Sequence, residues 1–152
     1  MGSHRIGQHI NAPRTAIYRA LLDARVVAQW RAPDGMTCEV HLFDARENGS
    51  FRVSLTYVAP SATGKTSANT DTYHGRFVKL VPNELVVEVI EFETKEPSLQ
   101  GEITITTSLA DAGEGTDLVV KFEGLPRGIS AADNETGTRM SLAKLAALIE
   151  VG

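Results

Sequence analysis

The chain has 152 residues, a length typical of one domain that buries about 70% of its unfolded surface. It is 42% hydrophobic with a net charge of −4, and its Lys and Arg residues are scattered, which excludes the clustered cations of a nucleic-acid groove. One cysteine, Cys38, excludes an internal disulfide, and no stretch approaches the roughly 20 apolar residues of a membrane span. Because the first residues lack the apolar core of a signal peptide, we expect a cytoplasmic protein.

The amino-terminal segment predicts one strand followed by two short helices. Alternation over residues 5–10 indicates the strand, and Pro13 suits the first turn of the first helix. Asp23 is a suitable N-cap for the second helix, which ends before Pro33. Two interpretations stay open for Trp30, on that second helix: it gates a cavity mouth, or it anchors the helix pair to the sheet.

The middle of the chain predicts an antiparallel sheet. From Met36 onward the hydrophobic period is two, and Asn48-Gly49 indicates a two-residue type I′ hairpin with positive φ at both positions. The small polar residues 60–70 indicate a loop. One-sided alternation means one buried and one solvated face. The strands that follow Met36–Leu42 are expected over 51–57, 72–80, 84–94, 101–109 and 116–123.

Eighteen residues near the end of the chain, 133–150, predict one long helix that Asp133-Asn134 caps. Since a helix is only about 10 Å wide, it cannot fill the concave side of a sheet of six or seven strands, and an interior cavity is expected. The main apolar stripe of the helix consists of Leu142, Leu145, Ala146 and Ile149. A second arc, which lines or fills the cavity, consists of Met140, Ala143 and Ala147.

No motif predicts catalysis, a metal or a cofactor. Gly64-Lys65-Thr66 lacks the earlier glycine of a phosphate-binding loop and precedes a strand, and the histidines lack metal-ligand spacing. On the strand over 84–94 one register turns Glu91 towards the interior or its rim, and the other turns Glu88 there. Candidate polar partners of this acid are Tyr57, Tyr73 and His74. The alternative stays open that these polar groups lie where the strands fray into solvent.

Several residue runs resemble the AHSA-like branch of the START-like (SRPBCC) superfamily, named after activators of a heat-shock chaperone ATPase. These runs are 10–14, 17–21, 30–36, 43–46, 49–51, 73–77 and 115–118. The resemblance implies a single domain over 1–152 with an α+β helix-grip fold: a curved antiparallel sheet of six to seven strands wrapped on a long C-terminal helix, with two short helices after strand one. Many members carry Gly-Trp at the start of the last helix. This chain has Gly137-Thr138 instead, which implies a roomier cavity.

The resemblance implies a hydrophobic pocket and no universal catalytic residue. Our leading hypothesis is therefore a non-catalytic module that binds a small hydrophobic or aromatic ligand, lipid- or polyketide-like, between sheet and helix. The expected lining residues are Trp30, Val40, Phe51, Val53, Leu55, Tyr57, Tyr73, Phe77, Val89, Ile105, Leu118, Val120, Phe122, Met140 and Leu145.

Two alternatives stay open. One is a polyketide cyclase-like or hydrolase-like enzyme, with Glu88 or Glu91 as general base and a tyrosine or His74 as proton partner. The other is a chaperone-binding module in the stress response. Homodimerisation is a further expected mode of association, because an open sheet leaves unpaired backbone groups at its edges.

Overall fold

The computed structural model describes residues 3–58 and 69–150. Its strands are β1 (Ser3–Ile10), β2 (Met36–Phe43), β3 (Ser50–Tyr57), β4 (Thr70–Val81), β5 (Leu85–Phe92), β6 (Ile103–Ala112) and β7 (Gly115–Glu123). Its α-helices are α1 (Arg14–Leu21), α2 (Ala24–Trp30) and α3 (Ala131–Ile149), and a short 3₁₀ helix covers Pro97–Leu99.

The seven strands form one antiparallel sheet in the order β1-β7-β6-β5-β4-β3-β2. The two edges are therefore β1 and β2, and the pair α1–α2 connects them. Register shifts interrupt the pairing of β2 with β3 and of β4 with β5, and such bulges bend a sheet. This architecture confirms the predicted α+β helix-grip fold, with seven strands. A loop was predicted over 60–70. Residues 60–68 of it lie outside the described residues, and Thr70 already begins β4.

The prediction of a two-residue type I′ hairpin at Asn48-Gly49 is wrong. Six residues, 44–49, connect β2 to β3, and only Asn48 of the predicted pair has a positive φ, at 67°. Gly49 is required for a different reason. A Cβ atom on Gly49 would lie 2.1 Å from the backbone oxygen of Asp44 and 2.9 Å from that of Arg46. Asn48-Gly49 does lie in the turn between β2 and β3. The geometry of that turn depends on the close approach of the Asp44 and Arg46 backbone to Gly49.

Of the two short helices in the described part of the chain, α2 has a side-chain cap and α1 does not. The Asp23 carboxylate accepts a hydrogen bond from the backbone N–H of Arg25 at 2.9 Å, which confirms its prediction as the N-cap of α2. Pro13 precedes α1 as its cap residue and not as its first helical residue. Val27 and Trp30 turn to the core from α2, and Ile17 and Leu21 do so from α1.

The start of α3 lies earlier than predicted. Ser130 is the N-cap, and its hydroxyl accepts a hydrogen bond from the backbone N–H of Asp133 at 2.9 Å. Asp133 and Asn134 therefore lie inside the first turn. The hydroxyl of Ser130, three residues before Asp133, satisfies a backbone donor that would otherwise have no helical partner.

We expect Ser130→Ala to lower the free energy of unfolding by about 1 kcal/mol, because the replacement removes this capping hydrogen bond. Ser130→Asp is the matched control, since aspartate caps helices as well as serine does, and it should leave stability nearly unchanged. Guanidinium unfolding of the three proteins measures the difference. Equal loss in both variants would mean that the hydroxyl does not act as a cap.

Helix α3 lies against β1, α1 and α2. Its stripe of Leu142, Leu145 and Ala146 is buried, whereas Ala143 and Ala147 are exposed and neither line nor fill a cavity. Among the strands, β1 at one edge of the sheet is the one that packs most closely on α3. The inner face of the central strands is therefore incompletely covered by the helix.

Candidate ligand-binding cavity

A cavity of about 550 Å³ lies between the inner face of the sheet and α3. Its walls come from α2, from strands β3 to β7, and from the first half of α3. The inner walls are mostly apolar, and exposed Asp34 and Asp133 contribute to the outer ones. Gly137 and Thr138 both line the cavity, so the dipeptide that departs from the family pattern faces this space.

Eight of the fifteen predicted lining residues contribute to the cavity wall: Trp30, Leu55, Tyr57, Tyr73, Ile105, Val120, Phe122 and Met140. Five others are core residues, at most 2% exposed and away from the cavity: Phe51, Val53, Phe77, Leu118 and Leu145. Val40 packs against that core from the edge strand β2. The alternation of a strand indicates which face a residue occupies, but not how far that point of the strand lies from the helix.

The structure selects one of the two registers of β5. Val86, Glu88 and Ile90 are buried and line the cavity, whereas Val89 and Glu91 face the opposite side of the sheet. Val89, one of the expected lining residues, therefore does not contribute to the cavity wall. The buried acid is Glu88, which is 6% exposed.

Two of the candidate catalytic residues lie on the outer face of the sheet. The His74 ring lies 3.6 Å from Glu91 and 3.1 Å from Glu93, and the guanidinium of Arg52 donates two hydrogen bonds to Glu93. This network is half exposed, and none of these four residues lines the cavity. Of the three acid–base candidates, only Glu88 reaches the interior.

Arg31 is the principal site residue that the sequence analysis missed. Its Nη2 atom lies 3.8 Å from Oε1 of Glu88, and both side chains line the cavity. The guanidinium carbon lies 4.7 Å from the centre of the Trp30 ring, within the range of a cation–π contact. One sequence signal was available: Val27, Trp30 and Arg31 are spaced i, i+3, i+4, which puts Arg31 on the buried face of α2.

Hydrogen bonds from two helices fix the backbone around Arg31. The Ser141 hydroxyl on α3 donates to the carbonyl oxygen of Arg31 at 2.7 Å, and Lys144 Nζ donates to that of Ala32 at 2.7 Å. The indole N–H of Trp30 donates to the carbonyl oxygen of Ala20 at 3.3 Å. With 3% exposure, Trp30 anchors α2 to α1 and forms part of the cavity wall.

Burial controls the ionisation of the groups around the cavity. Desolvation raises the pKa of Glu88, and the neighbouring Arg31 guanidinium opposes this effect. Desolvation likewise raises the pKa of Tyr73 to about 12, again with Arg31 in opposition. Neither the Tyr73 hydroxyl nor the Glu88 carboxylate makes a hydrogen bond within residues 3–58 and 69–150. The Tyr73 hydroxyl and the Glu88 carboxylate therefore face the cavity without a hydrogen-bonding partner among the described residues.

The raised pKa of Tyr73 predicts its behaviour in alkali. Its folded pKa of about 12 exceeds the unfolded value of 10.0, so the neutral phenol stabilises the fold. That contribution is complete below pH 10 and is lost as the pH rises towards about 12. At pH 11 we expect native protein and native Tyr73→Phe to have nearly equal tyrosinate absorbance. The unfolded parent should have close to one more tyrosinate than unfolded Tyr73→Phe. A native parent whose tyrosinate absorbance at pH 11 clearly exceeds that of native Tyr73→Phe would contradict the burial of the Tyr73 hydroxyl.

The geometry expected of an acid–base enzyme is not found in the described part of the chain. There, the Glu88 carboxylate forms no hydrogen bond with Tyr57, Tyr73 or His74. Among the same residues, no three His, Cys, Asp or Glu side chains lie together as metal ligands would. No helix of the described chain is both long enough and apolar enough to cross a membrane.

A long helix held against a curved antiparallel sheet, with a cavity between them, defines the class of START-like helix-grip domains. The family of Activator of Hsp90 ATPase homolog 1-like proteins matches residues 11–150, and the chain belongs to this family. A search of curated proteins finds no match.

Solved structures agree with this assignment. A crystal structure of a protein from Chromobacterium violaceum is 31% identical, with a TM-score of 0.88 over 99% of this chain and 98% of that one. The AHSA1 protein from Silicibacter pomeroyi is 16% identical, with a TM-score of 0.78 over 97% of this chain and 96% of that one. A solution structure of a protein from Arthrobacter aurescens is 13% identical, with a TM-score of 0.80 over 97% of this chain and 85% of that one. The last two likenesses concern the fold alone.

Proposed function

We propose that the protein binds a small hydrophobic or aromatic molecule in the cavity under α3. The observation that carries the proposal is a largely apolar-walled space of about 550 Å³, a volume within the range of small-molecule sites. Removal of apolar ligand surface from water would contribute roughly 25 cal/mol per Å², which makes burial the main source of affinity. The few polar groups on the wall would then fix the orientation of the ligand.

The enzymatic alternative has less support. A buried carboxylate with a raised pKa lines the cavity, as a general base would, but within residues 3–58 and 69–150 it forms no hydrogen bond with the tyrosine or histidine that proton transfer needs. The chaperone-binding alternative rests on the description of the family. Both stay predictions, as does homodimerisation through the edge strands.

Titration with N-phenyl-1-naphthylamine, a neutral dye that fluoresces in apolar surroundings, tests the proposal. We expect saturable binding of one dye molecule per chain. At a free dye concentration of 100 times Kd, the free energy of unfolding should rise by about 2.7 kcal/mol. For a chain of this length, that gain corresponds to a rise in Tm of about 5–10 °C.

The guanidinium-unfolded protein is the control, because it retains the composition of the chain without the cavity. Fluorescence that is equal in the folded and unfolded protein would contradict the proposal. So would dye binding that leaves Tm unchanged, since a ligand that binds only the native state must stabilise it.

A further inference from the structure

The inner wall of the cavity holds a charged pair whose hydrogen-bonding capacity is unused. A guanidinium has five N–H donors, yet that of Arg31 donates to no residue in the described part of the chain. Its Nε–H is buried without any partner. The distance of 3.8 Å between Nη2 of Arg31 and Oε1 of Glu88 is longer than a hydrogen bond. Buried groups of this kind are costly unless something satisfies them.

The spacing of the pair suits one inserted oxygen atom. With 3.8 Å between the nitrogen and the oxygen, a third atom can lie about 2.9 Å from each of them. That atom must accept a hydrogen bond from Arg31, which has no acceptor, and donate one to the Glu88 carboxylate, which has no donor. A hydroxyl group does both, whereas an ether oxygen only accepts.

The charges around the cavity favour a ligand whose group between Arg31 and Glu88 is neutral. Arg31 is the one cationic side chain among the described lining residues, and Glu88 already balances it. A ligand carboxylate between the pair would add an uncompensated negative charge beside the buried acid Glu88. A cationic group between the pair would lie against the guanidinium of Arg31.

We propose that the ligand carries a neutral hydroxyl, as a phenol or an alcohol, at its innermost end, and that this hydroxyl inserts between Arg31 and Glu88. The inference rests on the proposed function and specifies the chemistry of the ligand. The apolar body of the ligand then lies along the wall formed by Trp30, Ile105 and Met140. The hydroxyl of Tyr73, which lines the same cavity, is a second donor available to the inserted oxygen.

A series of four naphthalenes tests this inference by displacement of N-phenyl-1-naphthylamine at pH 7. 2-Naphthol donates and accepts, 2-methoxynaphthalene only accepts, 2-naphthoate is anionic, and naphthalene has no polar group. We expect 2-naphthol to bind at least tenfold more tightly than each of the other three. This comparison uses the unchanged protein and so does not depend on the stability of any variant.

The double variant Arg31→Met/Glu88→Leu assigns the preference to the pair. In this variant the preference for 2-naphthol over naphthalene, at least tenfold in the parent, should fall below threefold. Equal affinities of the parent for 2-naphthol and naphthalene would overturn the hydroxyl inference while the proposed function stands. Tightest binding of 2-naphthoate, or an unchanged preference in the double variant, would also overturn it. If none of the four compounds nor the dye binds, the proposed function itself fails and the inference with it.

Discussion

Glu88→Leu is expected to destabilise the protein by about 3 kcal/mol, because it leaves the largely buried guanidinium of Arg31, whose side chain is 22% exposed, without its counter-ion. Arg31→Met should lower the free energy of unfolding by a similar amount, because it leaves the buried carboxylate of Glu88 without its counter-ion. The double variant Arg31→Met/Glu88→Leu should recover most of the loss, since an apolar pair of similar volume avoids the desolvation of both charges. Guanidinium unfolding of the four proteins completes a double-mutant cycle, with an expected coupling of about 3 kcal/mol.

The Arg31→Met variant should also respond to pH in a defined direction. Burial already raises the pKa of Glu88 above its unfolded value, and loss of the guanidinium removes the effect that opposes this rise. A raised folded pKa gives a stabilising contribution that is complete below the unfolded pKa of 4.5 and is lost as the pH rises through the folded pKa. The deficit of Arg31→Met relative to the parent should therefore shrink in acid.

The cycle also has outcomes that would contradict this description of the pair. Additive losses in the double variant would mean that Arg31 and Glu88 do not interact across the 3.8 Å that separates them. A deficit of Arg31→Met that grows as the pH falls would mean that Glu88 is not the group left uncompensated.

Thr138→Trp is expected to weaken dye binding at least tenfold while it stabilises the protein. Thr138 lines the cavity on α3, so an indole there would occupy space that the ligand needs. Filling an existing cavity commonly adds about 0.5–2 kcal/mol to stability. Occupation of the cavity lowers dye affinity and raises stability, whereas general damage to the fold would lower both dye affinity and stability.

Ala143→Trp is the matched control for this substitution. Ala143 lies on the same helix but is exposed and does not line the cavity. We expect its dye affinity to stay within twofold of that of the parent. Equal weakening by the two tryptophans would place the dye on the surface of α3, and retained affinity in Thr138→Trp would exclude the cavity as the site.

Much of the fold followed from local patterns in the sequence. Alternation predicted the strands from Met36 onward, because one face of this sheet is buried and the other is solvated. Asp23 was identifiable as a cap because its carboxylate acts within two residues of itself. The geometry at Gly49 was not predictable, because it depends on the backbone of Asp44, which reaches the glycine only after the chain has turned.

The site was harder to predict because it depends on distances between elements. Phe77 and Tyr73 both point inward from β4, yet Phe77 packs in the core and Tyr73 faces the cavity. Arg31 was overlooked because an arginine at the end of a helix is usually solvated. What brings it inside is the packing of α3 against α2, through the Ser141 hydrogen bond to its carbonyl oxygen.

The location of a bound apolar ligand tests the central claim most directly. A crystal soaked or grown with 2-bromonaphthalene gives the position of the bromine from its anomalous scattering. We predict one strong peak inside the cavity, in contact with Trp30, Tyr73 or Met140. A peak only in the shallower depression beside Tyr18, Leu22 and Phe43, or no peak in crystals of protein shown to be saturated, would contradict the claim.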